Sequence, residues 1–526
     1  MLTRREHRSV HYRVADAPVS ELLAWLCAGD NAEHVAACRR VDRRDADERQ
    51  ARGVTELRQT GLVAPGVGAL ADASGRSGVS AARYGAIVIG GGPAGEVAVS
   101  RLNAQGLRVA LVERELVGGE CAYWACIPSK VLLRPTEARA GSARAAGVAT
   151  PAIDWPQVAA YRDHMIRDLD DAAQVKAYRD DGVDVFEGDA RIDGPGRVAV
   201  DGQVLGTDRI VVATGSDARI PPIEGLQEAG YWTNREATTL TDIPESVVVL
   251  GGGPVGVELG QFMRRFGARV TIVDHGDRLI SREDPVVGEL IATALRDEGI
   301  ELRLGAKAVS VQLEDGERVV RLDDGEQVSG RELLVATGRA PRVHDIGLEN
   351  IGITPDPAGL QVDERCRAAE GVWAIGDVTG VLAFTHVGMY QGRITAADIA
   401  GETVRADYTA IPRVVFTDPE IAAVGLTEHR AREQGIEVAT SHVALADAIA
   451  RPWTYEQEPR GELGLICDRE RQLLIGAWAV APLAGEWIHY AALAIKTRTP
   501  LSVLRDAVAQ FPTFTEAYLK AVERLD

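Results

Sequence analysis

Short apolar runs followed by glycine clusters are the clearest pattern along the chain, and the pattern occurs twice. Residues 86–95 read AIVIGGGPAG and residues 247–256 read VVVLGGGPVG, an offset of 161 residues (247 − 86). Each copy continues through a helix-like segment into a second apolar run, VALVE at 109–113 and VTIVD at 270–274. Apolar strands with few polar alternations predict a parallel sheet that is covered on both faces.

The distance in sequence from the first glycine to an acidic residue is the same in both copies. Glu113 lies 23 residues after Gly90 (113 − 90), and Asp274 lies 23 residues after Gly251 (274 − 251). Strand, glycine turn, helix, strand and acid in this order predict a dinucleotide-binding unit, in which the acid bonds ribose hydroxyls and the helix N-terminus faces the pyrophosphate. The glycines of these turns are Gly90, Gly92 and Gly95 in the first unit and Gly251, Gly253 and Gly256 in the second.

A pair of cysteines follows the first unit. Cys121 and Cys126 come just after two glycines, and the segment from Lys130 is helix-like until Pro135. In an ideal helix, residues five apart have Cα atoms about 8–9 Å apart, which exceeds the roughly 7 Å that a disulfide tolerates. A bridge between these cysteines therefore requires a distorted first turn, for which the glycine pair supplies conformational freedom.

Three roles are open to this cysteine pair: a redox centre, a zinc site, or two buried and inert thiols. A zinc site is disfavoured because no second cysteine pair or histidine lies nearby in the sequence. The redox role is favoured because the pair follows a nucleotide-binding unit and because a helix N-terminus stabilises a thiolate. A strained bridge would also be easier to reduce.

Composition and charge narrow the partners and the setting. The 526 residues carry a formal net charge of −19, which disfavours nucleic acid because binding its phosphates needs Lys and Arg, and disfavours an anionic membrane for the same reason. We expect no membrane span and no signal peptide, since no apolar run is long enough and the charged start leads into no apolar stretch. Six cysteines in so long a chain do not form a disulfide scaffold, so we expect a reducing, cytoplasmic setting.

The length predicts several domains. Residues 44–82 mix charged residues with Gly, Ser and Ala, a composition typical of a linker. After about residue 410 the pattern changes to strands at 413–416, 463–467 and 474–480 with helices near 485–510. This change predicts a separate α+β domain at the C-terminus.

Seven motifs in one order relate the chain to a family. They are GGGPAG, GGECAYWACIPSK, VVATGS (211–216), GGGPVGVELG, ATGRAP (336–341), GVWAIGDVTG (371–380) and PRVVFTDPEIAAVGLTE (412–428). Through them, about residues 84–526 resemble the class I pyridine nucleotide–disulfide oxidoreductases, which include dihydrolipoamide dehydrogenase, glutathione reductase and mercuric reductase. The resemblance implies an α/β fold with two Rossmann-type domains, one for FAD (83–217 and 343–409) and one for NAD(P) (218–342), and a C-terminal α+β dimerisation domain (410–526).

The resemblance also implies roles for single residues. Glu113 would bind the adenosine ribose of FAD, Asp377 would hold the flavin half, and His386 would lie near the isoalloxazine ring. Cys126 would be the thiol beside the flavin, and Cys121 the exposed thiol that attacks the substrate. The other residues implied to contact FAD are Gly119, Lys130, Thr214, Gly215, Ser216 and Gly376.

The second unit would bind NAD(P)H, with Gly338 beside it. Lys130 and Glu258 resemble the family's ion pair beside flavin N5; the alternative is a surface salt bridge, which would matter little. Asp274 favours NADH over NADPH, because a carboxylate bonds a free 2′-hydroxyl and repels a 2′-phosphate, whereas nearby Arg278 argues the other way. The family forms twofold homodimers through its C-terminal domain, so a homodimer is expected.

The chain departs from the family near its end. The family's disulfide reductases place an acid–base His, contributed by the other subunit, before Pro-Thr, with a Glu five residues beyond it. Here Phe511 replaces the His, Glu516 is kept and the adjacent Gln510 is not a base. General acid–base help is typically worth about 10²–10⁴-fold, so lipoamide or glutathione disulfide should turn over slowly unless a water or another group substitutes. Mercuric reductases also carry an aromatic residue there, but this sequence shows neither their C-terminal cysteine pair nor their N-terminal CxxC module.

Other unusual residues surround the thiols. Glu120, Tyr123 and Trp124 replace smaller residues of the family. They either change the shape of the entrance to the substrate site or only pack against the rest of the protein. Cys366 and Cys467 are expected to be ordinary structural cysteines.

Residues 4–27 read RREHRSVHYRVADAPVSELLAWLC and resemble the wing hairpin and last helix of arsenic-repressor-type regulators, which suggests a winged-helix-like fragment at 1–43. No recognition helix precedes this segment, so it could not read a major groove alone. The alternative is a helical dimerising appendage. Cys27 and Cys38 could bind a thiophilic metal, although two lone cysteines usually pack.

Three functions follow from these features. The first is an FAD-dependent NAD(P)H:disulfide oxidoreductase, similar to dihydrolipoamide dehydrogenase, with a small-molecule disulfide or other acceptor as its substrate. The second is an NAD(P)H-dependent reductase of metal ions or quinones. The third, from a different class, is a redox- or metal-responsive regulatory protein.

Overall fold

The computed structural model describes residues 82–525. The fragment at 1–43, with Cys27 and Cys38, lies outside the described residues, as does the linker up to residue 81. The first strand already includes Ala82, the last residue assigned to that linker.

The first nucleotide unit forms a six-stranded sheet that is parallel except for one pair, β18 with β19. The order of neighbouring strands is β18 (Arg367–Ala369), β19 (Val372–Ala374), β8 (Ile210–Val212), β2 (Ala86–Ile89), β3 (Val109–Glu113) and β4 (Asp184–Glu187). All four residues of the central strand β2 are buried. The elements up to residue 218 are β1 Ala82–Tyr84, β2 Ala86–Ile89, α1 Pro93–Ala104, β3 Val109–Glu113, α2 Gly119–Tyr123, α3 Cys126–Arg144, α4 Trp155–Met165, α5 Ala172–Asp180, β4 Asp184–Glu187, β5 Ala190–Gly194, β6 Arg197–Val200, β7 Gln203–Thr207, β8 Ile210–Val212 and β9 Ser216–Ala218.

The second unit forms a four-stranded parallel sheet in the order β12-β11-β10-β16, and all five residues of β10 are buried. A three-stranded antiparallel sheet, β13-β14-β15, lies beside it. The elements are α6 Leu226–Ala229, α7 Asn234–Thr238, β10 Ser246–Leu250, α8 Pro254–Arg265, β11 Arg269–Asp274, α9 Pro285–Asp297, β12 Glu301–Leu304, β13 Ala308–Glu314, β14 Glu317–Leu322, β15 Gln327–Gly330, β16 Glu332–Val335 and β17 Arg339–Pro341.

The chain then returns to the first unit, where strands complete the six-stranded sheet and a long helix packs on α1. These elements are β18 Arg367–Ala369, β19 Val372–Ala374 and α10 Thr385–Ile399, with 3₁₀ turns at Arg167–Leu169, Leu348–Ile351 and Gly376–Thr379. A short antiparallel pair, β9 with β17, lies where the chain passes between the two units. The predicted border at 217/218 therefore falls inside a strand.

The C-terminal region is the predicted α+β domain, an antiparallel sheet in the order β20-β21-β24-β23-β22 with helices packed against it. The three predicted strands agree with the observed ones to within a residue, whereas the last helix was not predicted. The elements are β20 Pro412–Val415, β21 Glu420–Gly425, α11 Glu428–Glu433, β22 Val438–Ala444, α12 Leu445–Ala448, α13 Arg451–Tyr455, β23 Glu462–Asp468, β24 Leu473–Ala481, α14 Ala484–Trp487, α15 His489–Lys496, α16 Leu501–Arg505 and α17 Glu516–Glu523.

One prediction about the helix after the cysteines is wrong. The helix does not end at Pro135 but continues to Arg144, with the proline inside it. A proline in a helix interior costs about 3 kcal/mol. Packing offsets this cost, because Leu132 and Leu133 lie in the core and the guanidinium of Arg144 pairs with the buried carboxylate of Asp418 at 2.8 Å.

The close packing of the first glycine turn can be tested by substituting one glycine of the turn and one control glycine elsewhere. A Cβ added to Gly95 would lie 2.0 Å from the carbonyl oxygen of Gly90, whereas one added to Gly141, inside α3, would meet nothing within 4 Å. We expect Gly95→Ala to lower the free energy of unfolding by about 1–3 kcal/mol through overpacking. The control Gly141→Ala should raise it by roughly 0.5–1 kcal/mol, since alanine stabilises a helix interior. Urea unfolding checks this, and equal midpoints for the two variants would contradict it.

Candidate active site

A break between two helices brings the cysteines together. Cys121 lies in α2, which ends at Tyr123, and Cys126 is the first residue of α3. Ala125, between them, has φ −132° and ψ −91°, which is not helical. The expected distortion is therefore present, but the break lies at 124–125, after α2. The glycine pair contributes at the start of α2, where Gly118 has φ 121°.

Both sulfurs contact one hydroxyl group. The Oγ1 atom of Thr385, the first residue of α10, lies 3.3 Å from Sγ of Cys121 and 3.3 Å from Sγ of Cys126. The cysteines are free thiols and each is half-buried. Thr385 is not among the predicted site residues, because it is 259 positions from Cys126 and belongs to none of the motifs that point to redox chemistry.

The two thiols differ in acidity. The pKa of Cys126 is lowered to about 6, because the Cys121 thiol donates a hydrogen bond to its thiolate and outweighs the effect of burial, with further help from Thr385 and the Lys130 ammonium. The same hydrogen bond and burial raise the pKa of Cys121. Cys126 also begins a helix, where a thiolate is stabilised. The reduced pair is thus one thiol and one thiolate near neutral pH.

Lys130 and Glu258 form an ion pair beside the cysteine helix. Their Nζ and Oε2 atoms are 2.8 Å apart, and Glu258 is buried. The second oxygen of Glu258 accepts a hydrogen bond from the backbone N–H of Phe416 at 2.8 Å, and the ammonium lies 4.6 Å from the centre of the Phe416 ring. The pair joins α3 to α8 of the second nucleotide unit, and it is not a surface salt bridge. Breaking such a pair by removing one partner would leave an uncompensated charge.

The two glycine turns have the same hydrogen-bonding pattern. A carboxylate oxygen of Glu113 accepts from the N–H of Gly91 at 2.6 Å, and one of Asp274 accepts from the N–H of Gly252 at 2.5 Å. Helices α1 and α8 follow directly, each with a glycine N-cap and no side-chain cap. Their first N–H groups are therefore available to an anionic phosphate.

The residues implied to contact FAD gather around the first turn. Ser216 donates to the carboxylate of Asp377 at 2.6 Å, and a Cβ on Gly376 would lie 3.1 Å from Ala94 in α1. A Cβ on Gly119 would lie 2.8 Å from the Cα of Gly92. A side chain at either glycine would crowd the turn, so the surroundings of the helix N-terminus fit a dinucleotide such as FAD.

The remaining predicted nucleotide residues lie near these turns. Thr214 donates its hydroxyl proton to the carbonyl of Arg342 at 2.7 Å. Gly215 has φ 72° and Gly338 has φ 121°, backbone conformations that favour glycine.

His386 stands next to Thr385 but is held by a different partner. Its Nε2 donates to the carbonyl of Pro412 at 2.9 Å, and its ring stacks on Phe384 with centroids 5.3 Å apart. Partial burial of the ring lowers the pKa of His386. Its position near an isoalloxazine ring stays a prediction.

The unusual residues around the thiols pack into the protein. Tyr123 is buried and donates to the carbonyl of Val117 at 3.1 Å. The guanidinium of Arg235 lies 4.1 Å from the centre of the Trp124 ring and 2.7 Å from a carboxylate oxygen of Glu120. Burial alone would raise the pKa of Glu120, but hydrogen bonds from Arg235 and others outweigh it, so the pKa is lowered. The packing alternative is supported for these residues.

Within residues 82–525, no hydrogen bond or ion pair connects the C-terminal residues to the sulfur of Cys121 or Cys126. One oxygen of Glu516, Oε2, is buried without a hydrogen-bond partner among the described residues. Phe511 is 75% exposed and Val508 is 97% exposed. Leu493 and Val503 are also exposed, so this domain presents an apolar surface.

Among residues 82–525, no group of three or more His, Cys, Asp and Glu side chains is arranged to bind a metal ion. None of the helices described here has both the length and the apolar character to cross a bilayer. Cys366 and Cys467 are buried free thiols, as expected for structural cysteines.

Comparison with known proteins agrees with this geometry. The family model "Pyridine nucleotide-disulphide oxidoreductase" matches residues 84–392, and the model of the corresponding dimerisation domain matches residues 411–522. A mercuric reductase of Shigella flexneri is 35% identical over 453 residues, 83% of this chain and 80% of that protein. A dihydrolipoyl dehydrogenase of Thermus scotoductus is 34% identical over 454 residues, 84% of this chain and 97% of that protein.

Solved structures are similar over the same part of the chain. The Cu(II) complex of the HOCl-induced flavoprotein disulfide reductase RclA from Escherichia coli aligns with a TM-score of 0.75 and 29% identity, covering 84% of this chain and all of that one. LpdA from Mycobacterium tuberculosis aligns with a TM-score of 0.76 and 28% identity, covering 84% and 99%. The expected fold, with two Rossmann-type domains and a C-terminal dimerisation domain, is confirmed. The chain belongs to the pyridine nucleotide–disulphide oxidoreductases, a family of flavoprotein enzymes.

Proposed function

We propose that the protein is an FAD-dependent NAD(P)H:disulfide oxidoreductase, similar to dihydrolipoamide dehydrogenase, that reduces a small-molecule disulfide through Cys121 and Cys126. The observation that carries this proposal is the meeting of both sulfurs at the hydroxyl of Thr385, with the pKa of Cys126 lowered to about 6. When bound, the flavin supplies the two-electron chemistry that links hydride donation by the nicotinamide nucleotide to reduction of a disulfide.

The chain's own residues would bind the two nucleotides in separate units. The N–H groups that begin α1 and the carboxylate of Glu113 would hold the pyrophosphate and ribose of FAD, while Asp377 and Ser216 would hold its flavin half. The N-terminus of α8 and Asp274 would do the same for the nicotinamide nucleotide. The ammonium of Lys130, whose Nζ lies 2.8 Å from Oε2 of Glu258, would stabilise negative charge on the flavin beside α3.

The cysteines would then complete the exchange of electrons with the acceptor. The Cys121 thiolate attacks one sulfur of the acceptor disulfide, forming a mixed disulfide and releasing the first thiolate. The Cys126 thiolate attacks Cys121 Sγ, re-forming the enzyme's disulfide and releasing the second half of the acceptor. Two electrons thus pass from the dithiol to the acceptor, as in ordinary thiol–disulfide exchange.

NADH is the proposed electron donor. The carboxylate of Asp274, which accepts from the N–H of Gly252 at 2.5 Å, would bond a ribose 2′-hydroxyl, while the guanidinium of Arg278 donates to the carbonyl of Ser281 at 3.1 Å. Because the guanidinium of Arg278 already has this carbonyl as its partner, Arg278 is not a dedicated ligand of a 2′-phosphate. A carboxylate at this position would repel that phosphate.

The proposal includes a homodimer in a reducing, cytoplasmic setting. The match to the dimerisation domain and the exposed apolar side chains of the C-terminal domain support the homodimer. The free thiols of Cys366 and Cys467 support the reducing setting.

A second candidate is the reduction of a soft metal ion, and Phe511 favours it. A disulfide acceptor needs a proton for its leaving thiolates, whereas a metal ion does not, so loss of the acid–base residue matters less for a metal. Thiolate sulfur is also a preferred ligand of soft metals. Relatives include mercuric reductases and a reductase crystallised with Cu(II). Quinone reduction, which also needs no residue at 511, is tested alongside it.

A redox- or metal-responsive regulatory role depends on residues 4–27, which lie outside the described residues, so this role stays a prediction.

The acceptor and the role of the cysteines are tested together. We expect the purified protein to bind FAD and to oxidise NADH with one of lipoamide, glutathione disulfide, Hg²⁺ or a quinone. Cys121→Ser and Cys126→Ser should each keep FAD and lose at least about 10²-fold in disulfide turnover, because the exchange needs both sulfurs. The control Cys467→Ser should retain the wild-type rate. Disulfide turnover that survives in both active-site variants would refute the proposal, and turnover with Hg²⁺ alone would favour the second candidate.

Phe511→His tests the missing acid–base residue. We expect this variant to increase turnover of a disulfide about 10–100-fold, because imidazole can supply the proton that phenylalanine cannot. Steady-state NADH oxidation measures the effect. Phe511→Gln, which is polar but not a base, is the matched control and should show no gain. If no disulfide is reduced faster by Phe511→His, proton transfer at this position does not limit the rate.

The preference for NADH is tested at Asp274. We expect kcat/KM to be at least about tenfold higher with NADH than with NADPH, since the carboxylate discriminates between a 2′-hydroxyl and a 2′-phosphate. Asp274→Ala should remove most of this ratio. Asp277→Ala deletes a nearby exposed charge and should leave the ratio unchanged. Equal efficiency with the two nucleotides in the wild-type protein would contradict the assignment.

A further inference from the structure

We propose that Thr385 is a catalytic proton relay between Cys121 and Cys126, which makes Cys121 a thiolate without an acid–base histidine. The inference rests on the proposed function, in which Cys121 attacks the acceptor. It assigns to one hydroxyl within this chain part of the task that Phe511 cannot perform.

The geometry of the hydroxyl suits a relay. Thr385 Oγ1 lies 3.3 Å from each of the two sulfurs, within hydrogen-bonding distance of sulfur. The hydroxyl donates to Cys121 Sγ in the structure, whereas either atom can be the donor in its contact with Cys126 Sγ. Because a hydroxyl has one rotatable proton and lone pairs that accept, it can also accept from the Cys121 thiol while it donates to the Cys126 thiolate. Among the hydrogen bonds of residues 82–525, Thr385 is the only residue joined through its side chain to both cysteines.

The position of Thr385 is well supported. It opens α10, whose first turn also contains the buried residues Val387 and Gly388. Its neighbour His386 is anchored by the carbonyl of Pro412 and by Phe384. The hydroxyl is therefore carried by a packed helix, and the histidine beside it is already engaged elsewhere.

Few other groups near the sulfurs can accept the S–H proton of Cys121. The charged groups that act on the sulfurs are Lys130 from α3, Glu258 from α8 and Glu96 from α1. Lys130 and Glu258 are paired with each other, and Glu96 accepts from Gln174 at 3.1 Å. The acceptor for the Cys121 proton is thus the Cys126 thiolate, reached directly or through the hydroxyl.

The relay conserves charge and protons. In the resting reduced pair Cys121 carries the proton and Cys126 the negative charge. The Cys121 S–H proton passes to Thr385 Oγ1 while the Thr385 proton passes to Cys126 Sγ, so one S–H bond breaks, another forms, and Cys121 becomes the thiolate. After Cys121 attacks the acceptor disulfide, Thr385 Oγ1 gives its proton to the leaving thiolate and takes the S–H proton of Cys126 in its place, so Cys126 is again a thiolate for the second displacement. The net reaction is dithiol monoanion plus disulfide giving enzyme disulfide, one thiol and one thiolate.

The contribution of the hydroxyl is distinct from direct contact between the sulfurs. A direct S–H···S hydrogen bond can transfer the proton only while neither sulfur is part of a disulfide. The hydroxyl stays beside Cys126 after Cys121 has become part of a mixed disulfide, and it can then hold or return the proton. Removing it should therefore affect both the formation of the Cys121 thiolate and turnover.

The test compares Thr385→Val, which removes the hydroxyl and keeps the shape, with Thr385→Ser, which keeps the hydroxyl. The reduced holoenzyme is treated with iodoacetamide from pH 5 to pH 9, and alkylation of Cys121 is measured by mass spectrometry. We expect the midpoint of Cys121 alkylation in Thr385→Val to rise by about one pH unit, with a fall of about tenfold or more in turnover of the disulfide that the wild-type protein uses. Thr385→Ser should recover most of both.

Controls separate a relay from a loss of structure. Thr136→Val removes a buried hydroxyl that bonds the carbonyl of Leu133 in α3, and should show the wild-type alkylation profile. Flavin content and thermal midpoint show whether each variant is folded; if Thr385→Val is not, Thr385→Ala replaces it. A wild-type alkylation profile and turnover without the hydroxyl would overturn the relay. If the wild-type protein reduces no disulfide, the proposed function fails, while the alkylation profile still decides the role of Thr385.

Discussion

The reactive centre depends on an interrupted helix. A continuous helix would hold residues five apart too far from each other for their sulfurs to bond. The break at Ala125 leaves Cys121 in one short helix, which ends at Tyr123, and Cys126 at the start of the next, and the hydroxyl of Thr385 lies against both sulfurs. The same break gives Cys126 its favourable place at a helix N-terminus, so one local feature of the backbone accounts for both proximity and acidity.

Around this break, the two nucleotide units meet on the cysteine-bearing segment. Glu113 and Asp274 each accept from a backbone N–H of a glycine turn in the same way, and each turn leads directly into a helix N-terminus that could bind a phosphate. The ion pair of Lys130 with Glu258 and that of Glu120 with Arg235 connect the cysteine helices to the second unit. The cysteines are therefore positioned by both nucleotide units, as the proposed transfer of electrons between two nucleotides and a dithiol would require.

Much of the fold and of the candidate site could be predicted from the sequence, because these parts depend on the local conformation of the backbone. A turn in which a Cβ at position 95 would lie 2.0 Å from a carbonyl oxygen accepts only glycine, so the two glycine clusters and their acids identify the units. Thr385 could not be found in this way, since its contact with the sulfurs spans 259 residues and a threonine carries no motif. The continuation of α3 past Pro135 was hidden too, because it depends on core packing and on distant Asp418.

The central claim is that Cys121 and Cys126 form a disulfide that exchanges electrons with bound flavin. Anaerobic titration of the oxidised holoenzyme with dithionite measures this most directly, since a dithiol–disulfide pair stores one electron pair in addition to that of the flavin. The account predicts two electron pairs per FAD for the wild-type protein and one for the variant with both Cys121→Ser and Cys126→Ser. A wild-type protein that accepts a single pair would contradict it.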